Sequence, residues 1–359
     1  MSRTLAVHTE AIDWGGAEAC LALVLGGLGE EFDRVVVVGP GTDVLDRLVA
    51  ASGPSADAVL IPSRRNPLDP RPLPATMKAL RGARADALHI NAAFTWGNPY
   101  ALAAAPFLRS TRIVFHEHLP LAANHASLRA LKRAAVKRAA AVVAVSDRAA
   151  REVEQHIGLP AQHVRTIPNG VPAPDDAPPV REHDAPTVVA TGRLTDQKGF
   201  DVLVRALAQL PGAHAVVVGE GPEREALTRL AAELGVADRF HLAGFQPDAR
   251  RWVRGADVAV VPSRWEAMPL AILEALAEGT PLVAADVGAA AEVLEGGHAG
   301  AIVPPDDPDA LAAALGSLLG DRASAQALGA AGHDRWQRHH TTELMQQRWA
   351  ALYRELLGD

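Results

Sequence analysis

The segment PSRWEAMPLAILEALAEGTPLVAA, Pro262 to Ala285, carries two carboxylates, Glu266 and Glu274, with seven residues between them. Two carboxylates flanking one bond could serve as acid and base in hydrolysis. Their setting favours another use. A strand-like DVAVV run ends at Pro262, residues 263–268 make a loop, and Pro269 suits the first turn of a helix, where its missing N–H would be unpaired anyway. That helix should run to Gly279 as its C-terminal cap, bury a stripe of Leu270, Leu273 and Ala277, hold Glu274 at the stripe's edge and point Glu278 toward water. A helix start offers unpaired N–H groups and a positive dipole end, which together bind anions. The stretch therefore predicts an anion site flanked by two carboxylates that accept bonds from hydroxyls, as a phosphorylated sugar or nucleotide requires. The competing reading makes Glu266 an ordinary loop carboxylate near a helix dipole and Glu274 a partly solvated helix residue.

A second element points the same way. GRLTDQKGF, residues 192–200, follows a strand and places Arg193 and Lys198 in a loop between Gly192 and Gly199. The fork of Arg193 and the point charge of Lys198 could neutralise a diphosphate leaving group, although either residue alone reads equally as a surface charge. Two other motifs lead elsewhere. VVVGEGPE starts like a dinucleotide fingerprint, but Arg224 stands where the third glycine belongs, which argues against a dehydrogenase. Asp307-Pro308-Asp309 resembles a metal-binding triplet, yet it precedes an alanine-leucine helix and reads better as an N-terminal cap, so no metal ligands are assigned.

Such loops need strands to carry them. Runs without polar alternation, as in strands buried on both faces, occur at 34–38, 112–118, 141–146, 187–192, 214–219, 257–263 and 280–285, separated by helical periodicity. The expected fold is α/β, with doubly wound parallel sheets whose ligands sit at the carboxyl ends of the strands, facing a cleft. A chain of 359 residues exceeds what one core usually organises. Six prolines in 168–186 mark the boundary, giving an N-terminal domain over 1–170, a linker over 171–186 and a C-terminal domain over 187–338. The last stretch, 339–359, should be a helix with Leu344, Met345, Trp349, Leu352 and Leu356 near one face, docking on the N-terminal domain.

Composition narrows the function classes. A formal charge of −7 gives no long-range field favouring nucleic acid, and only 4% of residues are aromatic, so nucleic-acid binding is not expected. The single cysteine, Cys20, excludes an intramolecular disulfide and reads as a small core residue. No signal-peptide pattern opens the chain and no apolar run reaches the roughly 18 residues of a membrane span, so a soluble, cytoplasmic protein is expected. The basic run SLRALKRAAVKRAA, residues 127–140, fits either a helix touching anionic membranes or a solvated helix face, and the acidic whole favours the latter.

With these residues in view the chain resembles a family 4 glycosyltransferase of the two-domain GT-B fold over nearly its whole length. The resemblance rests on the Glu266/Glu274 pair before helix, glycine and strand, on GRL...KG upstream, on NGV (169–171), on VVAVSD (142–147) and on GGAE (15–18). It implies a retaining, hexosyltransferase-type enzyme using a nucleotide sugar, usually without a catalytic metal or other cofactor. Residue by residue, Glu266 would hold hydroxyls of the donor sugar and Glu274 the ribose, Arg193 and Lys198 the diphosphate, and backbone groups around Ala267, Met268 and Leu270 would cap it. Gly15 and Gly16 would let backbone approach the phosphate or acceptor. Gly219 would lie near the nucleotide, and Gly244 and Phe245 would match the base-binding loop, though Phe245 reads equally as an apolar loop residue. The family's histidine near the transferred sugar falls on His118 by register, with His116 as the rival. Three positions depart from the pattern: Ala267 and Ala289 stand where glycines are frequent, and Ala19 where a basic residue is common.

The function expected is sugar transfer from a nucleotide diphosphate sugar, a UDP-sugar first, to a hydroxyl or other nucleophile of a small molecule, glycan or lipid. Domain closure would exclude water. Trp14, Asn91, Trp96 and Asn98 could line the acceptor side, though the aromatics serve a core as well. The alternatives are a nucleotide-sugar epimerase or sugar phosphorylase of similar fold, and a noncatalytic nucleotide-sugar-binding protein.

Overall fold

The computed structural model describes residues 2–66, 69–95, 97–121 and 126–358. They divide into two units, residues 1–170 with 342–359, and residues 171–341.

In the first unit seven strands, β1 (Thr4–His8), β2 (Arg34–Gly39), β3 (Ala56–Leu60), β4 (Ala87–Phe94), β5 (Arg112–Leu119), β6 (Ala141–Ala144) and β7 (Arg165–Thr166), form one parallel sheet in the order β3-β2-β1-β4-β5-β6-β7. The second unit has six, β8 (Thr187–Thr191), β9 (His214–Val218), β10 (Phe240–Gly244), β11 (Val258–Val261), β12 (Leu282–Ala285) and β13 (Ala301–Val303), in the order β10-β9-β8-β11-β12-β13. Each sheet is doubly wound, as expected. Strand order reverses between β1 and β4 in one sheet and between β8 and β11 in the other. Crevices at the carboxyl ends of such neighbours are where open α/β sheets bind ligands.

Helices bury both faces, so β2 and β11 carry unbroken valine and alanine with no polar alternation. The helix Thr342–Leu357 belongs to the first unit and packs against the helix Gly16–Gly26. Met345, Trp349, Leu352 and Tyr353 enter the core with Leu21, Val24 and Leu25, while Leu344 and Leu356 are only partly covered. The proline-rich 171–186 stretch is held to the second unit, with Val180 N–H donating to the Arg251 carbonyl at 2.9 Å and Arg181 paired to Asp257 at 2.9 Å.

The basic run needs a correction. Both readings of 127–140 put every cation in solvent, but Lys132 is fully buried and its Nζ lies 2.5 Å from Oε1 of the equally buried Glu117 on β5. Arg129, Arg133, Lys137 and Arg138 do face solvent, and the helix ends at Val136. Among the described residues no helix is long and apolar enough to cross a membrane.

Candidate functional site

In the second unit the loops that leave β8 and β11, neighbours at the strand-order reversal, carry the candidate residues. The β8 loop turns through a short 3-10 helix, Asp196–Lys198, and ends at Gly199 with φ +63°. A Cβ there would stand 2.1 Å from the Pro262 carbonyl oxygen, so glycine lets the two loops touch backbone to backbone. Arg264 fastens them further. Its N–H donates to the Gln197 carbonyl at 2.8 Å, and its guanidinium pairs with Asp201 at 2.8 Å and Asp306 at 2.7 Å. Those carboxylates raise the Arg264 value further, and the Arg264 bond holds the Asp201 carboxyl low against the opposing effect of burial.

So fastened, the loops bring Lys198 to Glu266. Nζ of Lys198 is 2.5 Å from Oε1 of Glu266, which also accepts from Ser263 Oγ at 3.2 Å. The two side chains keep 22% and 11% exposure, enough for a ligand to reach them. Arg193 stands exposed in the same loop. The helix begins at Leu270, one residue later than expected, because Pro269 is extended (φ −69°, ψ 123°) and takes the N-cap position, where no side chain caps the helix. No N-cap side chain covers its first N–H groups, although that of Ile272 turns back to the Pro269 carbonyl at 3.1 Å. Ala267 and Met268 are buried before it, and Ala289 N–H donates to the Ala267 carbonyl at 2.7 Å.

One turn into this helix sits Glu274. Ile272, Leu273, Ala275, Leu276 and Ala277 are all buried and Leu270 only partly, so the buried face is wider than the expected stripe. Burial raises the Glu274 carboxyl above its ordinary value, with Arg250 and then Lys198 opposing. Its carboxylate takes no hydrogen bond among the described residues, and a desolvated acceptor with spare capacity suits a hydroxyl donor. Glu278 does not point to water. Its side chain is 1% exposed and pairs with Arg250 and Arg254 at 2.6 Å each, because the helix Arg250–Arg254 covers that face.

Gly219 follows β9 and Gly244 ends β10, and Gly219 N–H donates to the Gly244 carbonyl at 2.9 Å. A Cβ on Gly219 would stand 1.9 Å from the Gly192 carbonyl oxygen, so its glycine is required by strand-end packing. Phe245 follows, 71% exposed.

The first unit assembles different groups at the β1/β4 reversal. Gly15 caps the helix that Gly16 begins, and Glu18 in its first turn is buried. Asn91 donates to Glu18 Oε1 at 3.3 Å, and its Oδ1 lies 2.8 Å from Nε2 of His118. Asn98, left-handed at φ +60°, bonds Nδ1 of His8 at 2.8 Å and the Asn91 carbonyl at 2.8 Å. Strand alternation puts His116 on the same sheet face as His118 and Glu117 on the other. His116 lies deeper, fully buried against Trp349 and 3.3 Å from Nε2 of His89, whose Nδ1 meets Tyr353 Oη at 2.8 Å. Burial lowers His118 and His89 to about 3 and His8 to about 4, keeping these rings neutral, and raises Glu18. Trp14 is half-buried under the Arg47 guanidinium, 5.1 Å from its ring centre. Trp96 lies outside the described residues. A cavity of about 180 Å³, lined by Glu10, Ile12, Arg64 and Tyr100 among others, opens beside the β1 loop and was not anticipated from sequence.

Known proteins match both units. Residues 185–321 match the family described as Glycosyl transferases group 1, and residues 14–173 match Glycosyltransferase Family 4. The lipopolysaccharide core biosynthesis glycosyltransferase LpsE of Rhizobium meliloti is 36% identical over 151 residues, which are 42% of this chain and 44% of that protein. The GDP-mannose-dependent alpha-(1-6)-phosphatidylinositol monomannoside mannosyltransferase of Mycolicibacterium smegmatis is 36% identical over 205 residues, 50% of this chain and 54% of that protein. The chain spans about half the length, or less, of the curated relatives it matches. In fold, it matches the crystal structure of Anabaena HepE in complex with UDP with a TM-score of 0.81 at 22% identity, covering 97% of this chain and 98% of that one. With profiles matching both units and this fold, the chain belongs to glycosyltransferase family 4, of GT-B architecture.

Proposed function

We propose that this protein transfers a sugar, with retention, from a nucleotide diphosphate sugar to the hydroxyl or other nucleophile of a small molecule, glycan or lipid. The observation that carries the reading is the Lys198–Glu266 pair held at the β8/β11 strand-order reversal, beside Arg193 and an uncapped helix start. Phosphate oxygens would draw Lys198 partly from Glu266, whose freed oxygens take sugar hydroxyls, while Glu274 accepts from the ribose. The bond from the anomeric carbon to the phosphate oxygen breaks as charge develops on the diphosphate, which Arg193, Lys198 and the helix N–H groups stabilise. The acceptor oxygen bonds that carbon from the same face, and the departing phosphate oxygen takes its proton. His118 and Asn91, and the cavity by Glu10 and Arg64, are offered for sugar and acceptor hydroxyls.

A UDP-sugar is the first donor to test, since HepE was crystallised with UDP, and a GDP-sugar the second, since the mycobacterial relative is named for GDP-mannose. The experiment is release of free nucleotide from UDP-, GDP- and ADP-sugars with a panel of hydroxyl acceptors and chelator present. One donor turning over with product retaining the anomeric configuration supports the proposal. Tight donor binding without turnover on any acceptor overturns it in favour of a binding protein.

A further inference from the structure

Three histidines distant in sequence meet at the end of the second sheet opposite to the candidate site. His183 lies in the stretch before β8, His214 opens β9 and His241 is the second residue of β10. Because these strands are parallel neighbours, their amino ends share one edge, while the Gly192, Gly219 and Gly244 turns leave from the other. All three rings are partly exposed, and one nitrogen from each lies within 4.8 Å of the others. Nδ1 of His214 is 3.0 Å from Nε2 of His241. Nε2 of His183 is buried and has no hydrogen-bond partner among the described residues. The rings gather closely, His183 to His241 at 4.3 Å between centres and His214 to His241 at 5.3 Å.

The backbone holds them there. Arg181 Nε donates to the His183 carbonyl at 3.0 Å while its guanidinium pairs with Asp257, and His214 N–H donates to the Pro186 carbonyl at 2.8 Å. Arg239, whose charge also acts on His214, directs its Nη1 at the Leu210 and Ala213 carbonyls, 2.8 Å each. Asp238 and Glu182 add negative charge around the cluster.

We propose that His183, His214 and His241 form a binding site for a divalent transition metal of the zinc type, which clasps the stretch before β8 to the sheet edge. Imidazole nitrogen is a ligand that zinc, nickel and copper take and that calcium and magnesium do not favour. With zinc–nitrogen bonds of about 2.0–2.1 Å, nitrogens on one tetrahedral ion stand about 3.3 Å apart. The His214–His241 pair is already near that spacing, held by a hydrogen bond that a change of tautomer in one ring would free for the ion, and the stacked rings must turn to close the widest pair by no more than about 1.5 Å. Solvent would complete the coordination. Lying at the sheet end away from Lys198 and Glu266, the ion would stabilise the second unit and take no part in sugar transfer. The inference does not rest on the transferase reading.

The test uses the full chain without a histidine tag, stripped with chelator and titrated with zinc chloride by calorimetry and thermal unfolding. One zinc per chain should bind with a Kd near or below about 1 μM, and at 100-fold excess over Kd the unfolding midpoint should rise by roughly 5 °C. Cobalt chloride should give the visible absorption of nitrogen-ligated tetrahedral cobalt. His183→Gln and His241→Gln should each weaken binding at least tenfold while the metal-free midpoint stays within a few degrees of wild type. No stoichiometric binding by the wild-type chain overturns the proposal, as does unchanged zinc affinity in the His183→Gln, His214→Gln, His241→Gln triple variant.

Discussion

At the β1/β4 reversal the side chains are His8, Glu18, Asn91, Asn98 and His118, closed nearly completely to solvent and bonded to one another. At the β8/β11 reversal they are Arg193, Lys198, Glu266 and Glu274, which keep contact with solvent and carry formal charge. The two sheets have the same winding through their first six strands, so topology alone cannot account for the contrast. Burial does. In the first unit the cost of desolvation keeps imidazoles uncharged, leaving groups that suit neutral hydroxyls. In the second, partial exposure leaves the Lys198–Glu266 pair within reach of an anionic ligand that can re-partition it, unlike the fully buried Lys132–Glu117 pair of the first unit.

The largest effect should come from removing the second region's charge. Arg193→Ala with Lys198→Ala is expected to lower turnover by about 10³-fold or more, since each donor to a developing anion is worth about 10²–10³-fold. Stability should fall by only about 1 kcal/mol, because Arg193 is exposed and Lys198 belongs to a part-exposed pair. Nucleotide release together with thermal unfolding separates the two quantities. Near wild-type turnover in a folded double variant would erase the distinction drawn between the regions.

Glu274→Ala is next, with nucleotide affinity expected to fall by about 10- to 100-fold, the loss of one or two bonds to a charged acceptor. Removing a partly buried carboxylate that takes no hydrogen bond among the described residues should leave stability unchanged or slightly raised. Calorimetric titration with the free nucleoside diphosphate checks this. Wild-type affinity in the variant would reassign Glu274 to the helix alone.

How far these regions could be read in advance follows the same contrast. The valine runs of β2, β9 and β11 declare themselves, because strands covered on both faces need no polar alternation. β4, ALHINAAF, escapes that pattern since His89 and Asn91 interrupt it, and these are the residues that build the buried polar network. Lys198 and Glu266 are legible because loop, glycine and helix start follow one another locally. Arg264 is not, since its partners Asp196 in the β8 loop, Asp201 in the helix that follows it and Asp306 after β13 lie 42 to 68 residues away in sequence. Glu278 misleads for a related reason: helical period gives its direction but not the arginines that cover it.

A pH scan should separate the units with a smaller effect. His8, His89 and His118 have folded values of about 4, 3 and 3 against an ordinary 6.5, so above 6.5 their contribution is fully present. As pH falls below 6.5 the unfolded chain takes up protons that the folded one refuses, and stability is lost. Each ring should cost roughly 1 kcal/mol between pH 7 and 5.5, partly offset by Glu18 and Glu117, whose raised values favour the folded state as they protonate. Pulse proteolysis read by mass spectrometry should therefore show cleavage in 87–119 rising at pH 5.5 before cleavage in 187–303. Equal or reversed order would show that the buried imidazoles do not govern acid stability.

The smallest expected effect separates two uses of a single ring. Phe245 is 71% exposed at the end of β10, so Phe245→Ala removes little buried area and should change stability by no more than about 0.5 kcal/mol. An aromatic face on a nucleobase contributes about 1–3 kcal/mol in single-stranded nucleic-acid sites. One loop-borne ring, exposed and unsupported, belongs at or below the bottom of that range, which gives a three- to fivefold loss of nucleotide affinity, roughly 0.6–1 kcal/mol. The loss should vanish for a ribose 5-diphosphate lacking the base, whereas the Glu274→Ala loss should persist. Equal losses with and without the base would make Phe245 an ordinary loop residue and leave base recognition to other residues. A loss confined to the base-bearing ligand would extend the contrast between the regions, adding an aromatic surface to the charged end of the second sheet, set against the buried polar network of His8, Glu18, Asn91, Asn98 and His118 in the first.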